Sequence, residues 1–389
     1  MLDNHYDFVI SGAGLVGCVI TKQLDALGFD VCLVEKSKLD KRKEETRGFN
    51  TLSINHRSKL IFEKFGLWER ILDISYPIEK LTLKYRSNLS TISFLSQDIG
   101  INELGYVCDR FKLLDILRDE VTKLSKGIIL TNDKVSSVKR SDECLELELS
   151  SRKISTNSLL ISDGIESELS DMVSKTKEHI DYGQKSFLLN CTGVFDQKHA
   201  IQIFNEFGIF ALIPYSDNEM SLVITIKDEY VESFFTNSGP DVDMIKGIFQ
   251  QYIEDIDNIK HMSTYSLITH RNENFYEDRV MLLGNSLQLL HPVGAQGYNF
   301  SLRCIENIID HLITHRKLSI NIDSLIDEIA SDRKKTMNNV DVAHNVLFKG
   351  GMISSLLSYA SFKLMRVNMS LKNKFLENIL GLTNYSYKD

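Results

Sequence analysis

The chain opens with a pattern of apolar and polar positions that predicts a strand, a helix and a second strand. Residues 7–10 form a short apolar run of the kind found in buried strands. A helical pattern follows to about Leu27, and Gly28 suits the helix C-terminus. Residues 31–34 form a second apolar run, which ends at Glu35. This order of elements predicts a βαβ unit.

Two further patterns lie beyond this unit. Residues 220–226 alternate between apolar and polar positions in part, which favours an antiparallel strand with one buried face. Residues 280–283 form an apolar run that ends at Gly284, and a glycine-containing loop then leads into a helix predicted to begin near Tyr298. The chain therefore carries a second strand, loop and helix far from the first.

The first turn carries glycines in the spacing Gly-x-Gly-x-x-Gly. Gly12 permits the tight turn, Gly14 lets the backbone approach a pyrophosphate, and Gly17 lets the helix pack closely on the strand. The helix N-terminus favours phosphate, and Glu35 stands where an acid accepts hydrogen bonds from ribose hydroxyls. A glycine turn without a ligand is the alternative, and the motif does not distinguish NAD from FAD. The nucleotide site predicted here comprises Gly12, Ala13, Gly14, Gly17, Glu35 and Lys36.

The distant glycine loop could place an anion or an electronegative ring atom at a helix N-terminus. A second nucleotide site is the simplest interpretation of its residues alone. The segment also resembles one in the class A flavin monooxygenases of the para-hydroxybenzoate hydroxylase fold, and within them the hydroxylases of ubiquinone biosynthesis. The matching residues are Gly284, Asn285, Gln288, Pro292, Gly294, Gln296, Gly297 and Asn299.

The resemblance implies FAD as the cofactor. It implies that Asn285 meets the ribitol and phosphate, and that residues 292–299, with Tyr298, lie against the isoalloxazine ring. Shorter matches add Arg47, Arg110 and Asp163 to the cofactor site, so the resemblance covers about residues 6–310. The sequence departs from the family pattern at Ser170, where an arginine is usual, and at Cys304, where an aspartate is usual.

The resemblance implies an α/β fold with a Rossmann-like FAD-binding domain, an inserted, mostly antiparallel substrate sheet and a helical tail. The expected FAD domain is discontinuous and comprises residues 1–75, 99–180 and 270–325. The substrate domain is expected at 76–98 and 181–269, and the tail at 326–389. Trp68 and the phenylalanines at 204, 207 and 210 are expected in the core.

The implied activity is hydroxylation of the aromatic ring of a polyprenyl phenol through a flavin C4a-hydroperoxide. The subgroup acting on 2-polyprenyl-6-methoxyphenol is the most similar, from the Leu290-His291-Pro292 run. NAD(P)H or another reductant would donate electrons transiently. No acid–base residue is assigned, because the cofactor performs the chemistry. His291 fits either a base or, more in keeping with its loop, a packing residue, and the predicted flavin-ring loop comprises His291, Pro292, Gly294, Gln296 and Gly297.

Two other functions remain open. One is a related flavin reductase that transfers hydride to a prenyl substrate. The other is a non-catalytic flavoprotein subunit of a biosynthetic complex, which the departures at Ser170 and Cys304 keep in consideration.

Composition and charge narrow the classes of function. Hydrophobic residues make up 43% of the 389 positions, which is ordinary for a globular protein, and a net charge of −8 argues against a nucleic-acid binder. Six scattered cysteines favour a reducing compartment, and the histidines show no metal spacing and are expected at the surface, so no metal site is predicted. No signal peptide and no long apolar segment are recognised, which predicts a cytoplasmic protein.

The C-terminal tail differs from the rest in charge. Residues 333–389 carry nine basic and three acidic side chains, a net charge of +6, against −14 for residues 1–332. Residues 346–365 are apolar but interrupted. Such a tail is expected either to lie on the inner face of an anionic membrane or to cap the FAD domain as packed helices.

Overall fold

The computed structural model describes residues 4–39, 50–85, 91–236, 239–347, 352–383 and 385. The chain divides into two compact units. The first unit comprises residues 1–44, 111–180 and 269–337, and the second unit comprises residues 45–110, 181–268 and 338–389.

The strands are named in chain order, and short 3-10 turns lie between several of them. They are β1 His5–Ser11, β2 Val31–Glu35, β3 Thr51–Asn55, β4 Ser75–Ile78, β5 Lys80–Tyr85, β6 Thr91–Leu95, β7 Gly105–Asp109, β8 Ile128–Thr131, β9 Val135–Arg140, β10 Leu145–Leu149, β11 Lys153–Ile161, β12 Lys177–Phe195, β13 His199–Phe204, β14 Gly208–Pro214, β15 Glu219–Lys227, β16 Phe235–Thr236, β17 Gly239–Pro240, β18 Ile253–Asn272, β19 Tyr276–Glu277, β20 Val280–Leu282 and β21 Gln288–Leu289.

The helices are named in the same way. They are α1 Leu15–Ala26, α2 His56–Lys64, α3 Trp68–Leu72, α4 Arg110–Val121, α5 Val231–Phe234, α6 Val242–Phe249, α7 Gln296–His315, α8 Ile322–Leu347, α9 Met352–Val367 and α10 Met369–Ile379. Among the helices that the structure describes, none has both the length and the apolar character required to span a membrane.

The first unit is built on a mostly parallel sheet with the strand order β19-β20-β11-β1-β2-β8. β1 pairs in parallel with β2 and with β11, and β11 pairs in parallel with β20. The interior strands are apolar on both faces: Val9, Ile10 and Leu33 are buried completely. The predicted βαβ unit is confirmed, with Gly28 in the left-handed conformation just after the α1 C-cap.

The second unit contains a long antiparallel sheet that includes the neighbouring strands β12, β15, β14, β13, β5 and β6, with β13 and β5 parallel. β15 covers the alternating segment at 220–226, and its antiparallel pairing with β12 and β14 agrees with the prediction. Phe210, Phe234 and Phe249 are fully buried in the core of this unit. Trp68 and Phe204 are buried as expected.

The compact units differ from the expected domain boundaries. Residues 45–75 and 99–110 were assigned to the FAD domain, but they belong to the second unit. The pairing of the backbone explains the difference, because β3, β7 and β4 form a separate three-stranded antiparallel sheet. Local pattern could not reveal this sheet, since β3 and β7 lie about fifty residues apart.

The tail helices α9 and α10 also belong to the second unit. The Phe375 ring stacks on Phe94 of β6, with ring centroids 5.6 Å apart. Lys372 Nζ donates to Asp98 Oδ2 at 2.6 Å, and Asn373 Nδ2 donates to the Asp98 carbonyl at 2.8 Å. Helices α9 and α10 therefore pack on the edge of the sheet predicted to hold substrate, while the part of the tail at 326–337, in α8, belongs to the first unit.

Candidate cofactor site

The first glycine turn is pressed against the end of β11. Gly12 has a φ of +99°, and a Cβ on it would lie 2.7 Å from Asp163 Cα and 2.8 Å from the Ser162 carbonyl oxygen. The Gly12 N–H donates to the carbonyl of Val34 at 2.8 Å. Any side chain at this position would clash with backbone, so the turn requires glycine.

The other two glycines of the motif serve different purposes. A Cβ on Gly17 would lie 1.8 Å from the Gly12 carbonyl oxygen, so this glycine allows α1 to pack closely on β1. Gly14 is the N-cap of α1, and no described atom would lie within 4 Å of a Cβ there. The first turn of α1 has no acidic residue. The helix start thus offers backbone donors and space, as a pyrophosphate requires.

Glu35 lies at the end of β2 beside this turn. Its Oε2 accepts a hydrogen bond from Ala13 N at 2.7 Å, and its Oε1 accepts from Ser37 N at 3.1 Å and from Ser37 Oγ at 2.8 Å. The carboxylate is therefore fixed against the glycine backbone, at the place where a ribose joined to the pyrophosphate would lie. Lys36, which follows it, is exposed.

Arg118 of α4 is a neighbour of the turn that the sequence pattern did not indicate. Its Nε donates to the Ala13 carbonyl at 3.2 Å. The guanidinium adds a positive charge beside the glycine turn, where the sequence predicts a pyrophosphate. Because the two residues are 105 positions apart, no local motif connects them.

The two distant glycine segments meet at Asp163. Ser286 Oγ donates to Asp163 Oδ1 at 3.0 Å and accepts from Gly164 N at 3.0 Å, while Ser11 Oγ donates to Asp163 Oδ2 at 3.4 Å. A Cβ on Gly284, whose φ is +61°, would lie 3.0 Å from Val16 Cγ2. The carboxyl ends of β1, β11 and β20 thus converge, as expected for the binding edge of a parallel sheet.

The second glycine loop is held by its own hydrogen bonds. Gly294 and Ala295 have φ values of +72° and +51°. Gln296 Nε2 donates to the Gly294 carbonyl at 3.1 Å, and Asn299 Nδ2 donates to the Ala295 carbonyl at 2.7 Å. α7 begins at Gln296, two residues before the predicted start, and it packs against α1. Asn299 therefore has a structural role in shaping the loop.

His291 is buried at the start of this loop, with 1% of its surface exposed. The backbone N–H of Val293 donates to its Nδ1 at 3.2 Å, so the imidazole accepts through that nitrogen. This geometry favours loop packing over proton transfer. Its assignment to the flavin-ring loop, with Pro292, Gly294 and Gln296, stays a prediction.

A buried arginine supports the Gly284–Ser286 turn from α8. Arg333 donates to Gln288 Oε1 at 2.9 Å, to the Glu273 carbonyl at 3.1 Å and to the Asn272 carbonyl. Burial lowers the pKa of this guanidinium to about 10. Asn272 Nδ2 in turn donates to the Ser286 carbonyl at 2.7 Å. Arg333 is thus connected to Asp163 through one asparagine and one serine, a path that sequence reasoning missed.

The remaining residues predicted to contact the cofactor differ in their exposure and in the unit to which they belong. Asn285 is exposed, while Gly297 and Tyr298 are half-buried at the start of α7. Arg110 begins α4, and its N–H donates to the Asn50 carbonyl at 3.0 Å within the second unit. Arg47 lies outside the described residues. The cofactor contacts predicted for these residues stay predictions.

The two departures from the family pattern have structural roles. Ser170 is buried, and its Oγ donates to the Ser167 carbonyl at 2.7 Å in a 3-10 turn. Cys304 is buried on α7, and burial raises the pKa of its thiol. Both substitutions are therefore accommodated without a strained or exposed group.

The histidines other than His291 were expected at the surface, and this was wrong for four of them: His56, His199, His270 and His344 are buried. For example, His199 Nε2 is hydrogen-bonded to Thr82 Oγ1 at 2.8 Å, and its Nδ1 to Asp196 at 2.8 Å. Hydrogen bonds offset the cost of burying this imidazole, and sequence spacing does not show the bond to Thr82, which lies 117 positions away. Within the described part of the chain, no group of side chains could hold a metal ion.

Comparison with known proteins agrees with this geometry. Residues 5–340 match the model of a family described as FAD binding domain. The chain is 25% identical over 340 residues to ubiquinone hydroxylase UbiM of Neisseria meningitidis, covering 84% of this chain and 73% of that protein. It is 24% identical over 368 residues to the human mitochondrial ubiquinone biosynthesis monooxygenase COQ6, covering 80% and 78%.

A solved structure supports the fold. The p-nitrophenol 4-monooxygenase PnpA of Pseudomonas putida aligns over 98% of this chain and 99% of its own, with a TM-score of 0.75 and 14% sequence identity. At this identity the likeness establishes the fold alone. The expected fold class, with its sheet units and helical tail, is confirmed.

Proposed function

We propose that this chain, which belongs to the family described as FAD binding domain, hydroxylates the aromatic ring of a polyprenyl phenol in ubiquinone biosynthesis. The family and the names of the relatives support an FAD-dependent monooxygenase, and more specifically a ring hydroxylase of the ubiquinone pathway. The polyprenyl phenol and the oxygen chemistry are the further steps of the proposal.

The observation that carries the proposal is the contact between Ser286 and Asp163. It joins the turn after β20 to the strand that lies beside the Gly12 turn, all within the first unit. One dinucleotide fingerprint and one distant glycine loop thereby form a single binding edge. An elongated cofactor with a pyrophosphate at one end and a ring system at the other fits this arrangement, and FAD is such a molecule.

The residues of the chain would divide the work of binding. The N-terminus of α1 and the Arg118 guanidinium would meet the pyrophosphate, and Glu35 would accept hydrogen bonds from the ribose. Asn285 is assigned to the ribitol, and the loop at 292–299 to the flavin ring. When bound and reduced, FAD supplies the activation of molecular oxygen.

The protein would contribute placement and a dry environment. Backbone N–H groups of a glycine loop at the start of α7 would stabilise negative charge on the ring. His291, buried and accepting from Val293 N, would keep that loop in shape. Exclusion of water from the flavin ring would prevent the wasteful release of hydrogen peroxide.

The proposal is tested with the purified flavoprotein, a reduced nicotinamide, a short-chain prenyl phenol and isotopically labelled oxygen gas. The expected product carries one labelled oxygen atom on the ring, detected by mass spectrometry. Complementation of hydroxylase-deficient strains, with analysis of the quinone intermediate that accumulates, identifies the ring position. Cys144→Ser provides a control variant, because Cys144 lies outside the binding edge on a partly exposed turn.

Two outcomes would contradict the proposal. A product two hydrogens heavier, formed without oxygen consumption, would identify a prenyl reductase. A protein that binds FAD but neither consumes oxygen with the phenol nor rescues any strain would be a non-catalytic subunit.

A further inference from the structure

The corner between α9 and α10, residues 363–371, exposes an unusual run of apolar side chains. Val367 is 78% exposed, Met369 57%, Leu364 53% and Leu371 42%. Single exposed apolar residues are common on protein surfaces, but four within eight positions are an unusual concentration, of the kind that marks a binding surface. The sequence pattern had placed the apolar segment earlier, at 346–365.

Three basic residues flank the corner. Lys363, Arg366 and Lys374 are exposed on the two helices. The sequence contains no aspartate or glutamate from position 342 to 376. Lys372, between Arg366 and Lys374, is mostly buried and binds the mostly buried Asp98 at 2.6 Å. Lys363, Arg366 and Lys374 are thus solvent-exposed cations near the apolar residues in the sequence.

Buried side chains on the same two helices fix the position of the corner. Phe362 and Met365 of α9 and Leu376 of α10 are buried. Asn368 caps α10, its Oδ1 accepting from Leu371 N at 3.1 Å. The exposed residues therefore do not belong to a loose end of the chain. Around the corner, each helix thus has buried side chains beside exposed apolar ones.

We propose that this corner docks the protein on an anionic lipid bilayer, with Val367 and Met369 inserted below the headgroups. A surface that combines apolar side chains with flanking cations, in a segment of sequence without acids, matches the apolar acyl layer and the anionic headgroup layer of such a membrane. A protein partner would need an apolar groove lined with acids, and equal binding to neutral and anionic vesicles would argue for such a partner over a membrane. The inference goes beyond the proposed function and does not rest on it.

The test is flotation of the full-length flavoprotein with vesicles of phosphatidylcholine, alone or with added phosphatidylglycerol. The wild type is expected to float with the anionic vesicles and to be released by salt. Replacing Lys363, Arg366 and Lys374 by glutamine should weaken partition by about 100-fold, since each contact near an anionic surface contributes roughly fivefold. The matched control replaces Lys134, Lys139 and Lys153, exposed lysines of the first unit.

The apolar part is tested separately. The double variant Val367→Glu and Met369→Glu should abolish flotation, whereas Val194→Glu, at a valine that is 58% exposed elsewhere, should leave it unchanged. Bound FAD absorbance and far-ultraviolet circular dichroism verify that each variant is folded. Turnover of a short-chain soluble phenol should be equal in all variants, so a failed membrane result is distinguishable from a failed function.

Three outcomes would overturn the inference. The wild type does not float with anionic vesicles, the corner variants float as well as the wild type, or the lysine control loses as much binding as the corner triple variant.

Discussion

Replacing Gly17 by alanine tests the physical basis of the first glycine turn. The new Cβ would lie 1.8 Å from the Gly12 carbonyl oxygen and 2.7 Å from Ser162 Oγ. Ordinary carbon–oxygen contacts are about 3.3 Å or longer, so α1 would have to move away from β1 by more than 1 Å. The obstacle is backbone, which cannot rotate aside as a flexible side chain would.

The expected size of the effect follows from two opposing contributions. Alanine in a helix interior is about 1 kcal/mol more favourable than glycine. Overpacking against a rigid neighbour costs about 3 kcal/mol or more. We therefore expect Gly17→Ala to lower the free energy of unfolding by about 2 kcal/mol or more, which corresponds to a decrease of roughly 1 M in the urea midpoint.

Gly14→Ala provides the matched control. No described atom lies within 4 Å of the added methyl group, and the φ of −80° suits alanine. Unfolding of the flavin-free protein should change by less than about 1 kcal/mol. FAD should bind about tenfold more weakly, because the methyl group occupies the approach of the pyrophosphate. Urea unfolding followed by circular dichroism and FAD release followed by flavin fluorescence measure the two effects. Equal unfolding of Gly17→Ala and wild type would refute the reasoning.

Three further predictions concern a buried arginine, a buried histidine and the accessibility of the cysteines. Arg333→Met should lower the free energy of unfolding by about 3 kcal/mol, because it leaves Gln288 Oε1 and two backbone carbonyls without their donor; a urea midpoint within error of the wild type would contradict this. Burial outweighs the nearby Asp196 and lowers the pKa of His199 below 6.5, so the unfolded chain takes up the proton first and stability falls as pH drops below about 6.5; His199→Gln should reduce that slope, measured as the urea midpoint between about pH 7.5 and 5.5, and an unchanged slope counts against the assignment. Of the six cysteines, five are buried and Cys144 is partly exposed, so a thiol reagent should modify one equivalent in the native protein and none in Cys144→Ser; a second reactive thiol in the native state would show that a buried cysteine is accessible.

The sequence alone determined the local parts of the cofactor site. A glycine with a left-handed φ, a helix N-terminus and an acid at the end of the next strand all depend on neighbours within one βαβ unit. Gly12, Gly17 and Glu35 accordingly lie where their spacing predicted. The start of α7 was predicted to within two residues, since the apolar period and the preceding glycines mark it. The resemblance of the distant glycine loop to flavin monooxygenases added the identity of the cofactor.

Only the tertiary structure decided which distant groups meet. Arg118, Ser286 and Arg333 contact the site from elements far apart in the chain, and hydrogen bonds between such elements follow from packing, which leaves no local spacing to read. The same reason explains the buried histidines. It also explains the tail, where the exposure of a side chain depends on which helix face packs on the sheet. Phe375 stacks on Phe94, whereas Val367 is exposed. Local chemistry thus determined the glycine fingerprint, whereas long-range packing determined which side chains hydrogen-bond around it and which residues of the tail are exposed.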